Sequence, residues 1–373
     1  MSALAALLAA GYALALLPGC GGCNKAPDVP PNLAFLPRAN RVVLKVPDKP
    51  APALNDPLRR DAEIAALDAL GGQTLDPASV PLDPRKQHAA ALKDTFGTPA
   101  APTGEVDDAP SLSEGSRLYR RHCQQCHNLS GDGRGPSGST VPFPRDYRQG
   151  QFKFVTTGAS AKPRPADLHR TLKDGLKGTP MPSFALLQEG ERDLLARYVV
   201  YLSVRGQTEF ELLKGAATGQ TPEAGALVNS IRAEWEAAKH APPLPPEPDD
   251  GEPGSPAHLE AVKRGYTIFA AKADNSCISC HGEYGRKPVL RYDVWGTVAR
   301  PADLTQRDAL KGGSRPEDVY ARVRFGVRPV GMPAHPKLTE REVWDLVRFV
   351  RALPYPAQLP DAVRSAVNPA GTP

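Results

Sequence analysis

The sequence has few aromatic residues, only three methionines and no hydrophobic run of the roughly 20 residues that a membrane span needs. Aromatic residues make up 6% of its 373 residues, against 41 prolines and 33 glycines. This composition predicts that a large part of the chain is linker rather than packed core. Long runs of basic residues and nucleic-acid-binding signatures are also missing, so the net charge of +5 favours a protein partner over nucleic acid.

The longest apolar stretch, residues 3–17, leads into the string Leu17-Pro18-Gly19-Cys20. It is shorter than the roughly 20 residues that a membrane span needs, and it has the length of the apolar region of a signal peptide. Its end resembles a bacterial lipobox with Cys20 as the acylated residue, although no basic residue precedes the run and Pro18 is unusual there. We therefore expect residues 1–20 to be a signal peptide with a lipobox.

This segment predicts a protein on the periplasmic side of the bacterial inner membrane, associated with it through an N-terminal lipid or anchor. The alternatives are a plain cleaved signal, which would leave the protein soluble in the periplasm, and an uncleaved anchor.

The chain contains an internal duplication, because seven pairs of corresponding residues, six of them identical, lie at a constant separation of 151 positions. The pairs are Pro165 and Pro316, Asp167 and Asp318, Gly175 and Gly326, Met181 and Met332, Pro182 and Pro333, Tyr198 and Phe349, and Leu202 and Leu353. We place repeat 1 at residues 111–205 and repeat 2 at residues 258–356. The string Arg-Pro-Ala-Asp-Leu at 300–304 also occurs at 164–168, but out of register; its in-register counterpart is Pro144-Arg145-Asp146.

The remaining segments are predicted to connect or flank the repeats. Residues 21–110 are interpreted as a Pro-rich extension or tether with short amphipathic helices at Arg60–Leu70 and Arg85–Lys93. Residues 206–257 are expected to be a linker with one helix, Pro222–His240, and residues 357–373 a C-terminal tail. Lys and Arg outnumber Asp and Glu by 15 to 8 in repeat 1 and by 17 to 11 in repeat 2, whereas the linker has 3 against 9. The basic repeats favour partners with acidic docking surfaces.

Each repeat carries a C-x-x-C-H string: Cys123-Gln124-Gln125-Cys126-His127 in repeat 1 and Cys277-Ile278-Ser279-Cys280-His281 in repeat 2. Two thiols three positions apart on a helical turn can add to the two vinyl groups of one porphyrin, with the following imidazole under the iron. A four-cysteine zinc ribbon and a thioredoxin-like pair are the alternatives. The first is disfavoured because the motifs lie 154 positions apart, in separate repeats.

The two internal methionines occupy equivalent loops. Apart from Met1, the chain has only Met181 and Met332, each followed by proline and each ahead of the last helix of its repeat. A loop methionine restrained by proline suits a thioether that must point at one iron. The alternative is that both side chains merely fill space in a core.

With these motifs, each repeat resembles a class I cytochrome c domain. The resemblance implies an all-α fold, with two tandem cytochrome c domains joined by a helical and Pro-rich linker after a Pro-rich N-terminal extension. It implies two covalent haem c groups, attached through Cys123, Cys126, Cys277 and Cys280. The axial iron ligands would be His127 with Met181 and His281 with Met332.

The resemblance also implies contacts around the haem. The N- and C-terminal helices of each domain should meet, at Gly115 and Tyr119 against Tyr198 and at Gly265 and Phe269 against Phe349. Pro136 would accept the Nδ1 proton of His127, and Pro288 that of His281. Buried carboxylates need charged or hydroxyl donors, so Tyr292, Trp295, Arg164 and Arg300 are candidates to bond the haem propionates; turn and capping roles are the alternative for all four.

The tandem arrangement resembles dihaem electron carriers and the dihaem subunit of cbb-type haem-copper oxidases. It implies a carrier of single electrons between extracytoplasmic redox partners, in a respiratory chain that feeds a terminal oxidase, and not an enzyme. The long linker and the N-terminal extension depart from that pattern. The alternatives are a dihaem peroxidase-type enzyme and a haem subunit of a periplasmic dehydrogenase or oxidase complex.

Overall fold

The computed structural model describes residues 33–52, 56–104, 109–158, 161–271 and 276–368. Cys20 and the expected signal segment lie outside these ranges. Most of the regular structure is helical, in agreement with the expected all-α class. The helices are α1 (Arg60–Ala65), α2 (Leu82–Phe96), α3 (Ala109–His122), α4 (Gln124–His127), α5 (Pro165–Asp174), α6 (Glu189–Ala217), α7 (Ala224–Lys239), α8 (Pro256–Ala270), α9 (Cys277–Cys280), α10 (Pro316–Phe325), α11 (Glu340–Ala352) and α12 (Asp361–Val367).

Two short antiparallel strand pairs accompany the helices. Strand β1 (Val42–Lys45) pairs with β2 (Gln73–Leu75), and β3 (Arg291–Tyr292) pairs with β4 (Val298–Ala299). In the described ranges, no helix combines the length and the apolar character required to cross a membrane.

In repeat 1, helices α3 and α6 cross at close range. A Cβ atom at Gly115 would lie 2.7 Å from the carbonyl oxygen of Leu194, so the crossing requires glycine there. One turn further along α3, the ring of Tyr119 lies 5.2 Å from that of Tyr198. The helix contact predicted from these residues is therefore confirmed.

Repeat 2 has the same crossing between α8 and α11. A Cβ atom at Gly265 would lie 2.1 Å from the carbonyl oxygen of Asp345, and the rings of Phe269 and Phe349 are 5.3 Å apart. Helix α11 begins at a capping box, in which the amide of Thr339 donates to the Glu342 carboxylate at 2.7 Å. The two repeats thus share one helical frame, each built around its own hydrophobic core.

Helix α6 extends well beyond the predicted end of repeat 1. The boundary placed at residue 205 falls inside this 29-residue helix, which continues to Ala217. The helix continues past that boundary because it keeps a buried face: Leu212 joins the core of repeat 1, and Leu213 packs with Val42 and Leu75 of the strand pair. The next helix, α7, agrees with the one predicted at Pro222–His240.

The described part of the N-terminal extension is packed against the repeats and is not a free tether. Both predicted helices are present, as α1 with a following 3-10 turn and as α2. Leu92 and Phe96 of α2 are buried in the core of repeat 1, whereas Ile64 and Leu67 lie against Gly296 of repeat 2. The composition suggested a tether because these apolar residues are sparse; they are buried on surfaces that the repeats provide.

The linker and the C-terminal segment also pack. Asp250 of the acidic linker pairs with Arg348 at 2.9 Å and with Arg341 at 2.7 Å, both on α11. Residues 357–373 were expected to be a tail, but they include α12, whose Val363 and Val367 are buried in the core of repeat 2. A short apolar pair at a chain end gives a weak sequence signal, so the helix was not predicted.

The two repeats contact each other directly. Arg170 on α5 lies 3.4 Å from Asp167 of its own helix and 3.1 Å from Asp318, the equivalent carboxylate on α10. Both carboxylates are almost fully buried, so the shared guanidinium supplies the charged donor that each requires. Nearby, the ring of Phe154 covers Gly312, where a Cβ atom would come within 2.3 Å of the ring.

Candidate functional site

The two C-x-x-C-H strings fold as equivalent helical turns. The amide of His127 donates to the carbonyl of Cys123 at 2.9 Å, and the amide of His281 donates to that of Cys277 at 2.9 Å. Each turn therefore carries two cysteines and one histidine on five consecutive residues. None of the four cysteines is in a disulfide bond.

Burial keeps the first thiol of each pair uncharged. It raises the pKa of Cys123 to about 12 and that of Cys277 to about 11. The four cysteines do not assemble a zinc site: within the described ranges, no three His, Cys, Asp or Glu side chains cluster as metal ligands. The zinc-ribbon alternative requires all four to meet, so the geometry is against it.

Each motif histidine faces a backbone carbonyl from a second loop. Nδ1 of His127 lies 3.1 Å from the carbonyl oxygen of Arg145, and Nδ1 of His281 lies 3.1 Å from that of Ala302. Burial lowers the pKa of both imidazoles, which favours the neutral ring. A neutral imidazole that donates at Nδ1 keeps an unprotonated Nε2, the form that binds a metal ion.

The resemblance implied that Pro136 and Pro288 accept the Nδ1 protons of His127 and His281. The structure gives that role to Arg145 and Ala302 instead. The loop before Pro136 contacts the motif backbone instead, because the amide of Gly135 donates to the carbonyl of Cys126 at 3.1 Å. In repeat 2 the residue after Pro288, Val289, donates in the same way to the carbonyl of Cys280 at 3.0 Å. Both prolines therefore lie beside the cysteine turn, and another loop reaches the imidazole.

The repeat alignment pairs the two accepting positions with each other. Pro144-Arg145-Asp146 is the in-register counterpart of Pro301-Ala302-Asp303, and the accepting carbonyl belongs to the middle residue in both. The repeat alignment thus identified equivalent positions without indicating that they serve the histidines. Resemblance to the family's proline loop directed the prediction elsewhere.

The methionine loops are closed by the same hydrogen bond. The amide of Leu176 donates to the carbonyl of Met181 at 3.1 Å, and the amide of Val327 donates to that of Met332 at 3.1 Å. Both loops follow a helix that ends at a glycine with positive φ. At the first of these, Gly175, a Cβ atom would come within 2.6 Å of Pro182. Each methionine is half-buried.

The residue set fits covalent haem. Each repeat supplies two cysteines on one turn that are in no disulfide, a buried neutral imidazole with its Nδ1 bonded, and a half-buried thioether from a closed loop. These are the donors that c-type haem attachment and axial ligation require. Cys123, Cys126, His127 and Met181 would hold one group, and Cys277, Cys280, His281 and Met332 the other.

Two of the four residues suggested for the haem propionates have other partners. The indole Nε1 of Trp295 donates to the carbonyl oxygen of Asp146 in repeat 1, and Arg164 donates to the carbonyl of Pro242 in the linker. Trp295 is therefore a contact between the repeats.

A comparison with protein-family models agrees with the duplicated architecture. A family model described as cytochrome c oxidase, cbb3-type, subunit III matches residues 110–199 and 260–350, each span holding one C-x-x-C-H turn and one methionine loop. A solved chain of a reducing HAO-like protein complex from Kuenenia stuttgartiensis is 27% identical; the match covers 64% of this chain and 95% of that one, with a TM-score of 0.46. A search of curated protein sequences gives no significant match.

Proposed function

Since this chain contains two cytochrome c domains, we propose that it is a dihaem c-type cytochrome that transfers single electrons between extracytoplasmic redox partners. The four motif cysteines attach the two haems. His127 and Met181 are the axial ligands in repeat 1, and His281 and Met332 those in repeat 2. Haem c supplies one-electron exchange at the iron.

One observation carries the proposal: the same two hydrogen bonds recur in both repeats at the same lengths. The imidazole bond to a loop carbonyl is 3.1 Å in each repeat, and the bond that closes the methionine loop is also 3.1 Å in each. The constrained residues are the histidine and the methionine, while the residues around them differ. This pattern supports two sites with the same ligand requirement.

A pair of His and Met ligands favours electron transfer over catalysis. Two protein ligands fill both axial positions, so neither haem would offer an open position to a substrate. The protein's own contribution is to fix the histidine tautomer and to bury the imidazole. An imidazole held in this way would need little reorganisation when the iron exchanged an electron, as a fast carrier requires.

The surrounding charge supports a protein partner. Repeat 1 carries 15 basic against 8 acidic residues and repeat 2 carries 17 against 11, so each presents a positive field to an acidic docking surface. We place the protein at the periplasmic face of the bacterial inner membrane, held by a lipid on Cys20. There it would carry electrons to a terminal oxidase, a role that also agrees with the description of the matching family.

A redox titration of the full-length protein tests the proposal. We expect two one-electron waves at comparatively high potential, six-coordinate spectra in both oxidation states and no reaction with peroxide. Rapid peroxide turnover by the half-reduced protein would replace the carrier with a peroxidase-type enzyme. Tight copurification with a large dehydrogenase or oxidase would instead make it a haem subunit of that complex.

A further inference from the structure

Arg145 has two roles that belong to different repeats. Its backbone carbonyl accepts from Nδ1 of His127 in repeat 1 at 3.1 Å. Its guanidinium donates to Asp293 of repeat 2 at 3.0 Å and lies 4.3 Å from the centre of the Trp295 ring. The peptide group that orients the histidine is therefore anchored through its own side chain to the other repeat.

Asp146, the residue after Arg145, is held by the same turn of repeat 2 that contains Asp293 and Trp295. The indole Nε1 of Trp295 donates to the backbone carbonyl of Asp146 at 2.5 Å. Trp295 is 5% exposed, so the bond is shielded from water. Two consecutive peptide carbonyls of repeat 1 are thus fixed, one directly by Trp295 and the other through the Arg145 side chain.

The turn that provides these contacts is rigid. It comprises residues 293–297, between β3 and β4, and we call it the clamp turn. The carboxylate of Asp293 is 2% exposed at the side chain and accepts from the amides of Trp295 and Thr297 at 3.1 and 3.0 Å and from the Thr297 hydroxyl at 2.8 Å. At Gly296, where φ is +75°, a Cβ atom would lie 2.7 Å from Leu67 of the extension. A pre-organised turn positions its partners at little entropic cost.

The clamp turn is also connected to the methionine loop of its own repeat. The amide of Val294 donates to the carbonyl of Pro329 at 2.8 Å, three residues before Met332. The clamp turn therefore lies between the loop that carries Met332 and the loop that orients His127.

Repeat 1 does not hold the acceptor of His281 in the way that repeat 2 holds the acceptor of His127. The acceptor for His281 is the carbonyl of Ala302, whose methyl side chain offers no charged anchor. Its neighbours are fixed within repeat 2. The amide of Leu304 donates to the carbonyl of Tyr284 at 2.9 Å, and the Thr305 hydroxyl donates to the Asp303 carboxylate at 2.6 Å. Repeat 2 orients the histidine of repeat 1, whereas it orients its own histidine internally.

We propose that the clamp turn of repeat 2 is a positioning element for the axial histidine of repeat 1, acting through Arg145 and Asp146, and that it thereby sets the reduction potential of the repeat 1 haem. The inference rests on the proposed function, because it needs a haem in each repeat. A histidine that donates strongly from Nδ1 is a more basic ligand and favours the oxidised iron. Loosening the clamp should therefore raise the repeat 1 potential and leave the repeat 2 potential unchanged.

The test is Trp295→Phe in the full-length protein with both haems, since phenylalanine keeps a ring beneath Arg145 but removes the indole N–H. We expect the reduced-to-oxidised ratio of the repeat 1 haem to rise three- to tenfold at fixed potential, where tenfold equals about 59 mV for one electron. The two one-electron waves of the titration are assigned to their haems by repeating the measurement with Met332→Ala also present, because that substitution moves only the wave of the repeat 2 haem. The Nδ1–H resonance of His127 in the reduced state should shift, and that of His281 should not.

Trp344→Phe is the matched control, because its buried indole Nε1 has no hydrogen-bond partner among the described residues. It should leave the repeat 1 wave unchanged. Arg145→Lys is the second variant if Trp295→Phe does not fold, since it keeps the backbone carbonyl and the charge but loses the planar stacking on Trp295; the same rise is expected.

Several results would overturn the inference while the dihaem function stands. They are an unchanged repeat 1 wave, an equal shift caused by Trp344→Phe, or a shift confined to the repeat 2 wave, which would assign Trp295 to its own haem. A protein that carries fewer than two haems would defeat the proposed function itself.

Discussion

The two repeats agree at their candidate ligands and differ in what surrounds them. The imidazole and methionine-loop hydrogen bonds have the same lengths in both. Around them, repeat 1 is covered by α2 and α7, and repeat 2 by the acidic linker and α12. The acceptor peptide belongs to an arginine in one repeat and to an alanine in the other. Duplication thus preserved the ligand geometry while the outer surfaces diverged to bind each other and the flanking segments.

The largest effect expected is the loss of one haem. Replacing Cys123 and Cys126 together by alanine should remove the repeat 1 haem and leave that of repeat 2, and the pair Cys277 and Cys280 should give the reverse result. Thioether bonds are the only covalent attachment, so each double variant should retain half of the haem absorbance. Haem content measured by pyridine haemochrome checks this, and retention of both haems by either variant would show that the motifs are not attachment sites.

The next effect distinguishes the two methionines as ligands. Met181→Ala should lower the potential of the repeat 1 haem, and Met332→Ala that of repeat 2, because loss of the thioether removes a ligand that stabilises ferrous iron. Both variants should keep covalent haem. Redox titration separates the waves, and a variant whose potentials equal those of the wild type would reduce that methionine to a packing role.

A smaller effect compares the two helix crossings. Gly265→Ala should destabilise repeat 2 by about 1–3 kcal/mol, because the added Cβ would lie 2.1 Å from the carbonyl of Asp345. Gly115→Ala should cost less: its Cβ would lie 2.7 Å from the nearest carbonyl, and the gain in helix propensity of about 1 kcal/mol offsets part of the strain. Gly190→Ala, with open space around it, should be neutral to stabilising. Urea unfolding ranks the three variants by their unfolding free energy. Equal losses of unfolding free energy at Gly115 and Gly265 would contradict the closer helix approach in repeat 2.

The smallest effect concerns the start of α11. Hydrogen bonds from the backbone and hydroxyl of Thr339 lower the pKa of Glu342. Because the folded-state pKa lies below its ordinary value, this contribution is complete above about pH 4.5 and is lost as the pH falls through the lowered pKa. Glu342→Gln should reduce the unfolding free energy by about 0.5 kcal/mol at pH 7 and by less in acid, since the residue is exposed. Unfolding curves at pH 7 and pH 3 check this, and a difference that grows in acid would contradict it.

The sequence was sufficient to predict the helical frame and its duplication. Constant offsets identified the pairs Met181 with Met332 and Tyr198 with Phe349, and the glycine and aromatic positions of the helix crossings were correct. The helical frame and the duplication follow from local periodicity and constant offsets, whereas the helix crossings were implied by the resemblance to class I cytochrome c domains. A motif that recurs at the same offset in both repeats is supported by two independent observations.

Contacts between distant segments could not be predicted in the same way. The carbonyls that hold His127 and His281 belong to backbone, which any residue supplies, so residue type gave no signal for Arg145 or Ala302. The Pro-rich extension appeared to be a tether because its few apolar residues are buried only against the repeats. Trp295 was assigned to a haem propionate because nothing in the sequence indicated that its indole faces repeat 1.

The most direct test of the account is the intact mass of the mature protein purified from its native membrane. We expect the mass of the polypeptide plus two covalent haems, with added lipid if Cys20 is acylated, together with a Soret band whose intensity corresponds to two haems. A polypeptide that weighs no more than its amino acids and shows no Soret absorbance would contradict it.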